Sequence, residues 1–210
     1  LAPLADLCEL ADAHEAMFLV DEAHATGVLG ETGRGSCQWH GVEDRVTFRV
    51  GTLSKAIGSS GGFVAASVNW IKYLWNTART QIFSTALSPA SCAAAIEALR
   101  LIVAEPGRRQ MLSRRGTQLR SHLASLGVAG VLDGTGPIVP IILHEPETCL
   151  SVARKLFANG FLVGAIRPPT VPVGTARLRI SLSSGHTEDD VAQLAKAVAI
   201  ALPAGSALRD

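Results

Sequence analysis

Cysteine is sparse in this chain, aromatic residues are scarce and long apolar runs are missing, and each shortage argues against a class of protein. Cys8, Cys37, Cys92 and Cys149 form no C-x-x-C pair, and no histidine stands near them at metal-ligand spacing. A structural zinc site, or any other metal, therefore gets little support, and reduced, partly buried thiols are expected. Aromatic residues make up 5% of the chain and the net charge is +1. A nucleic-acid partner would show a basic stripe interleaved with stacking rings, and there is none. No stretch approaches the ~18–20 uninterrupted apolar residues of a membrane helix. The first residues also lack the basic start and apolar run of a signal peptide, so the cytoplasm is the expected location. There is no internal repeat and no low-complexity segment.

What is present is an ordinary soluble composition. The 210 residues are 48% hydrophobic and 18% charged, enough to bury a substantial core in one or two domains. Residues 4–11 carry apolar side chains at helical spacing after Pro3 and predict an amphipathic helix. Residues 17–20 form a short apolar run ending in Asp21, the pattern of a buried parallel strand. A glycine-rich loop follows over 26–35. Further strands are expected at 46–50 and from 61 onward, then helices at 69–80, 89–104 and 106–126. After a glycine-rich loop at 127–136, the tail reads strand (138–143), helix (147–159), strand (177–182) and helix (187–202). This gives an α/β protein with two domains, 1–105 and 106–210, the second a smaller α/β domain.

The chemistry concentrates in two short segments. Val20-Asp21-Glu22-Ala23-His24 closes the first strand, and Gly51-Thr52-Leu53-Ser54-Lys55-Ala56 closes the second. A lysine ringed by small and hydroxyl residues, close to a strand-end aspartate, suits a pyridoxal 5'-phosphate (PLP) site. Lys55 would hold the cofactor as a Schiff base. Asp21 would keep the pyridine nitrogen protonated, and His24 would reach the phenolic oxygen or the imine edge. Thr52, Ser54, Ser84 and Thr85 are hydroxyl donors suited to a phosphate. Each residue also has a plain alternative: Asp21 as a cap, His24 as a surface residue, the hydroxyls as turn chemistry. Glu22, next on an extended segment, is expected to face away from Asp21. Arg167, Arg177 and Arg179 are the natural carboxylate clamps, and the last two share one strand face. The Asp-Glu-Ala-His string also occurs in a class of helicases. Those need a G-x-x-x-x-G-K-[ST] loop upstream, and here Lys55 is followed by Ala56.

These motifs resemble the α-oxoamine synthase branch of fold-type I PLP enzymes. The resemblance runs from Val-Asp-Glu-Ala-His-Ala-Thr-Gly-Val-Leu-Gly through Gly-Thr-Leu-Ser-Lys-Ala and Phe-Ser-Thr-Ala-Leu-Ser-Pro. It ends at Arg-Pro-Pro-Thr-Val-Pro-Val-Gly-Thr-Ala-Arg-Leu-Arg. It implies an aspartate aminotransferase-like fold, with 1–105 part of the PLP-binding large domain and 106–210 the small domain. It further implies that Lys55, Asp21 and His24 are catalytic, that Thr52 and Ser54 contact the cofactor, and that Thr170, Arg179 and Arg167 contact substrate. Thr85 resembles the hydroxyl that reaches the phosphate of a neighbouring subunit, which implies a homodimer.

Within the family, residues 167–172 are most similar to the members that condense L-alanine with a pimeloyl thioester, releasing CO2, in biotin synthesis. The acyl donor would be pimeloyl-CoA or a pimeloyl carrier protein. Glycine C-acetyltransferase and other oxoamine synthases share the lysine motif, and a non-catalytic or truncated dimerising subunit is a further alternative. Family members carry a stretch before the position where this chain begins, including the group that stacks on the cofactor ring. The chain is therefore expected to be the C-terminal portion of a longer acyltransferase.

Overall fold

A computed structural model describes residues 1–203, so the end of the expected second domain, 204–210, lies outside the described residues. The chain forms two compact units, Leu1–Arg109 and a second from Gln110 onward.

The first unit begins with α1 (Leu4–Ala13) and β1 (Leu19–Asp21). After the glycine-rich loop come α2 (Ser36–Trp39), a 3-10 turn (Glu43–Arg45), β2 (Phe48–Thr52) and β3 (Gly62–Ala65). The three strands form one sheet in the order β1-β2-β3, with β1 parallel to β2 and β3 antiparallel to it. Leu4 and Cys8 of α1 pack with Val20, Cys37 and Val42 into a small buried cluster. The strand expected to be buried is covered on one face only: Val20 is buried, while Leu19 is 55% exposed. Side chains alternate along a strand, so the face carrying Leu19 and Asp21 is the one that α1 and α2 leave open.

The helix expected over 69–80 is two: α3 (Val68–Thr77) and α4 (Arg79–Ile82), broken at Ala78, whose backbone is extended. Asn76 and Thr77 bond back to the carbonyls of Lys72 and Tyr73, side-chain bonding that competes with helical continuation. Next comes α5 (Pro89–Ala104), which starts as its sequence dictates, with Pro89 in the first turn and Ser88 accepting the Ser91 N–H at 3.1 Å.

The second unit is built from most of α6 (Pro106–Ser125), then β4 (Ile138–His144), α7 (Pro146–Ala158), β5 (Gly164–Ile166), β6 (Ala176–Ser181) and α8 (Glu188–Ala201). The sheet order is β4-β6-β5, antiparallel throughout. One face supplies Val139, Ile141, Ala176, Leu178 and Ile180 to a core completed by α6, α7 and α8. Thr187 and Asp190 close a reciprocal capping box at the start of α8. Leu178 lies at the centre of this core with no exposed surface. Leu178→Ala is expected to cost about 2–5 kcal/mol, read as a lowered unfolding midpoint, and an unmoved midpoint would contradict this packing. Among the described residues, no helix is long and apolar enough to cross a membrane.

Candidate active site

The parallel pairing of β1 and β2 puts their carboxyl ends side by side, with Asp21 opposite Val50. Such strand ends are where open α/β sheets carry their chemistry. Asp21 is exposed there, and its Oδ1 accepts the Ala23 N–H at 2.8 Å. This is the turn-capping role weighed for it, and it engages one carboxylate oxygen. His24 follows in the same turn and is exposed.

Lys55 sits on the loop between β2 and β3. The loop is tied across its neck, where Leu53 N–H and the Thr52 hydroxyl both donate to the Gly61 carbonyl, at 2.9 and 3.2 Å. Thr52 Oγ1 also accepts the Ser54 N–H at 3.1 Å and shares a 2.7 Å bond with the Ser54 hydroxyl. The first duty of these two hydroxyls in the structure is to shape the loop. Ile57 is buried beneath it. From α5, Ser91 receives Ser59 Oγ on its carbonyl at 2.7 Å and Ser60 Oγ on its hydroxyl at 3.0 Å. Lys55 thus stands exposed on a loop pinned at both ends and from beneath. Gly58, three residues on, borders open space, since a Cβ added there would meet nothing within 4 Å. Gly51 is required for a different reason: a Cβ there would fall 2.3 Å from the Phe63 ring, which covers it from the paired strand. Thr85 is exposed on the segment between α4 and α5.

Glu22, whose neighbour Asp21 is exposed, points the other way and is 2% exposed. Its Oε2 accepts the Ser36 N–H and the Ser36 hydroxyl, and its Oε1 accepts the Cys37 N–H, each at 2.7 Å. Burial pushes the Glu22 pKa up, but the hydrogen bonds from Cys37 and Ser36 outweigh it and hold the carboxyl below its ordinary value. The Cys37 thiol is pushed up to about 12, first by burial and then by Glu22. That makes it an inert core group rather than a nucleophile.

In the second unit, Arg167 follows β5, and Thr170 N–H closes a turn onto the Arg167 carbonyl at 3.1 Å, across a cis Pro168–Pro169 bond. Arg177 and Arg179 lie half-buried on the sheet face opposite the core. Geometry separates them. Arg177 Nε donates to the Thr175 carbonyl at 2.9 Å, whereas the Arg179 guanidinium has no hydrogen-bond or ion-pair partner among the described residues. Gly164 pairs directly with Arg179 across the sheet.

The structure therefore places Asp21, His24, Thr52, Ser54 and Lys55 at and just beyond the carboxyl ends of β1 and β2 in the first unit. It gathers Arg167, Thr170 and Arg179 around β5 and β6 of the second. Ser91 and the buried role of Glu22 are not evident in the sequence, since neither has a local motif. Among the described residues, no group of three or more His, Cys, Asp or Glu side chains could hold a metal ion.

The family described as aminotransferase class I and II matches residues 1–198. An 8-amino-7-oxononanoate synthase from Anaeromyxobacter dehalogenans is 45% identical over 202 residues, covering 96% of this chain and 51% of that protein. A solved serine palmitoyltransferase from S. paucimobilis, with a bound PLP–myriocin aldimine, aligns with a TM-score of 0.90 at 31% identity, over 96% of this chain and 51% of its own. An 8-amino-7-oxononanoate synthase structure from Francisella tularensis aligns with a TM-score of 0.80 at 30% identity, over 92% and 57%. The chain spans about half the length of the curated relatives it matches.

Proposed function

We propose, from the premise that this chain belongs to the aminotransferase class I and II family and has the fold-type I transferase fold, that it carries the PLP chemistry of an 8-amino-7-oxononanoate synthase. The observation that carries this reading is the 45% identity to such a synthase over 96% of the chain. Asp21 at the end of β1, and Lys55 on the loop that leaves the adjacent parallel strand β2, agree with it. The reaction joins L-alanine to a pimeloyl thioester, on CoA or a carrier protein, with loss of the alanine carboxylate as CO2 and release of the thiol.

The residues present fit the cofactor. Lys55 is an exposed amine, Asp21 is a carboxylate with one oxygen uncommitted among the described residues, and Thr52 and Ser54 are hydroxyls on the loop that carries Lys55. When bound, PLP supplies a carbonyl carbon for a covalent bond to Lys55 Nζ and a ring that accepts the electron pair freed at the substrate's α-carbon. The rest falls to the chain. Asp21 holds a proton on the ring nitrogen. His24 bonds the phenolic oxygen. Thr52 and Ser54 contact the cofactor, and Thr85 contacts the phosphate of a neighbouring subunit in a homodimer. Lys55 Nζ, once free, takes the α-proton and later returns one. Arg179 takes the alanine carboxylate, with Thr170 and Arg167 on the substrate side. The expected setting is the cytoplasm.

The test is to supply PLP, L-alanine and pimeloyl-CoA or a pimeloyl carrier protein and to measure CO2 and the aminoketone. Amino transfer to a keto acid without CO2 would instead indicate an aminotransferase, and preference for glycine with acetyl-CoA a glycine C-acetyltransferase. A non-catalytic or dimerising subunit would give no product and no covalent cofactor.

The two outer-face arginines give a sharper expectation. A charge-assisted hydrogen bond contributes about 1.5–3 kcal/mol, so Arg179→Ala should raise the KM for alanine about 10–100-fold, tenfold per 1.4 kcal/mol. Arg177→Ala, whose Nε is engaged by Thr175, should change it far less. Equal effects would remove the distinction.

A further inference from the structure

Glu22 ties three parts of the strand-end site together through its backbone and side chain. Its N–H donates to the Val50 carbonyl at 2.7 Å, joining β1 to the strand that leads to Lys55. Its carbonyl accepts the Ala25 and Thr26 N–H groups, both at 2.8 Å, closing the turn that contains His24. Its carboxylate accepts the Ser36 and Cys37 donors and so fixes the far end of the glycine-rich loop. The loop is shaped for this contact. Gly35 has φ +108°, and a Cβ there would lie 2.6 Å from Glu22 Oε2. Gly33 leaves space for Ile102 and Arg109, and Arg109 Nη2 reaches the Glu31 carbonyl at 3.0 Å.

We infer that Glu22 is a positioning residue: its buried carboxylate locks the turn that presents Asp21 and His24. It touches neither cofactor nor substrate and acts through its two neighbours. A carboxylate is required because its two oxygens accept three hydrogen bonds, all from Ser36 and Cys37 donors. The amide of a glutamine would turn an NH2 toward a Ser36 or Cys37 donor. This inference rests on the PLP reading for its functional consequence and on the hydrogen bonds alone for its structural one.

The test compares Glu22→Gln, Glu22→Asp and Ser36→Ala in the full chain, with two readouts. Amide hydrogen exchange without cofactor should show lost protection at Ala25, Thr26, Ser36 and Cys37 in Glu22→Gln, while α8 is unchanged. PLP titration by absorbance should show affinity weakened about tenfold or more, as expected for a misplaced constellation, with a displaced pH midpoint of the bound cofactor's visible band. Glu22→Asp should recover part of both. Ser36→Ala removes one donor, leaves the fold, and should produce a smaller change in the same direction, which keeps the test decisive if Glu22→Gln does not fold. Wild-type exchange protection and cofactor binding in the variants would overturn the inference and leave the proposed function standing. A wild-type chain that takes up no PLP would instead defeat the proposed function, and the exchange readout would still decide whether Glu22 locks the turn.

Discussion

Lys55→Ala is expected to abolish both covalent cofactor attachment and turnover. After PLP treatment and borohydride reduction, mass spectrometry of the wild-type chain should place a pyridoxyl group on Lys55, and the variant should carry none there. The expectation is large because the chain offers few other amines: the only other lysines are Lys72, Lys155 and Lys196. Among these, Lys155 is engaged at the Ala201 carbonyl in the second unit. Lys55→Arg should fail as completely, since a guanidinium keeps the charge but offers no free amine. The fold should be indifferent. Lys55 is exposed, and the loop is held by the Leu53, Gly58 and Ser59 backbone bonds and by the Thr52 and serine hydroxyls, none of which needs the lysine side chain. The unfolding free energy should therefore stay within about 0.5 kcal/mol of wild type. An active alanine variant would remove Lys55 from the mechanism.

The sequence makes the placement of Asp21 and Lys55 at strand ends legible because each pattern is local. An apolar run ending in an acid, and a Gly-Thr-Leu-Ser-Lys segment after a second run, are each short patterns readable within a few residues, though β1–β2 pairing is what sets them side by side. The closing helix is equally plain, since Thr187 and Asp190 cap it from within four residues. What escapes is everything set by distant partners. The strand Gly164–Ile166 is three residues long and exists through its pairing with β6, so no periodicity marks it. The break at Ala78 interrupts a segment whose apolar pattern continues unbroken. Glu22 is an ordinary acid until Ser36 and Cys37 are folded against it. The networks of buried Arg115 and half-buried Arg120 are of the same kind. Arg115 donates to the His186 carbonyl and to Glu188, and Arg120 donates to the Ile138 carbonyl. Arg177 and Arg179 show the limit most clearly: they are identical in type and share a face, and the Thr175 carbonyl alone tells them apart.

Asp21→Asn tests the electronic half of the site without disturbing its scaffold. Asparagine keeps the shape and the carbonyl oxygen that accepts the Ala23 N–H, so the Glu22–Ala25 turn should survive. Asp21 is exposed at the end of β1 and supports no buried cluster, and the unfolding midpoint should hardly move. The lost element is the negative charge. On the proposed PLP reading, Asp21 would then no longer hold a proton on the ring nitrogen, and the ring's capacity to accept the α-carbon electron pair would fall. A hydrogen bond to a charged group is worth about 1.5–3 kcal/mol, so α-proton removal should slow about 10–100-fold, at tenfold per 1.36 kcal/mol of barrier. The measurement is exchange of the alanine α-proton for deuterium by the PLP-loaded chain, which isolates this step from the acyl donor and from decarboxylation. Cofactor affinity should fall by less than the exchange rate, because Lys55 and the hydroxyls remain. Exchange at the wild-type rate would leave Asp21 with its capping bond to Ala23 as its whole role, and the proton on the ring nitrogen would have to be held by another group.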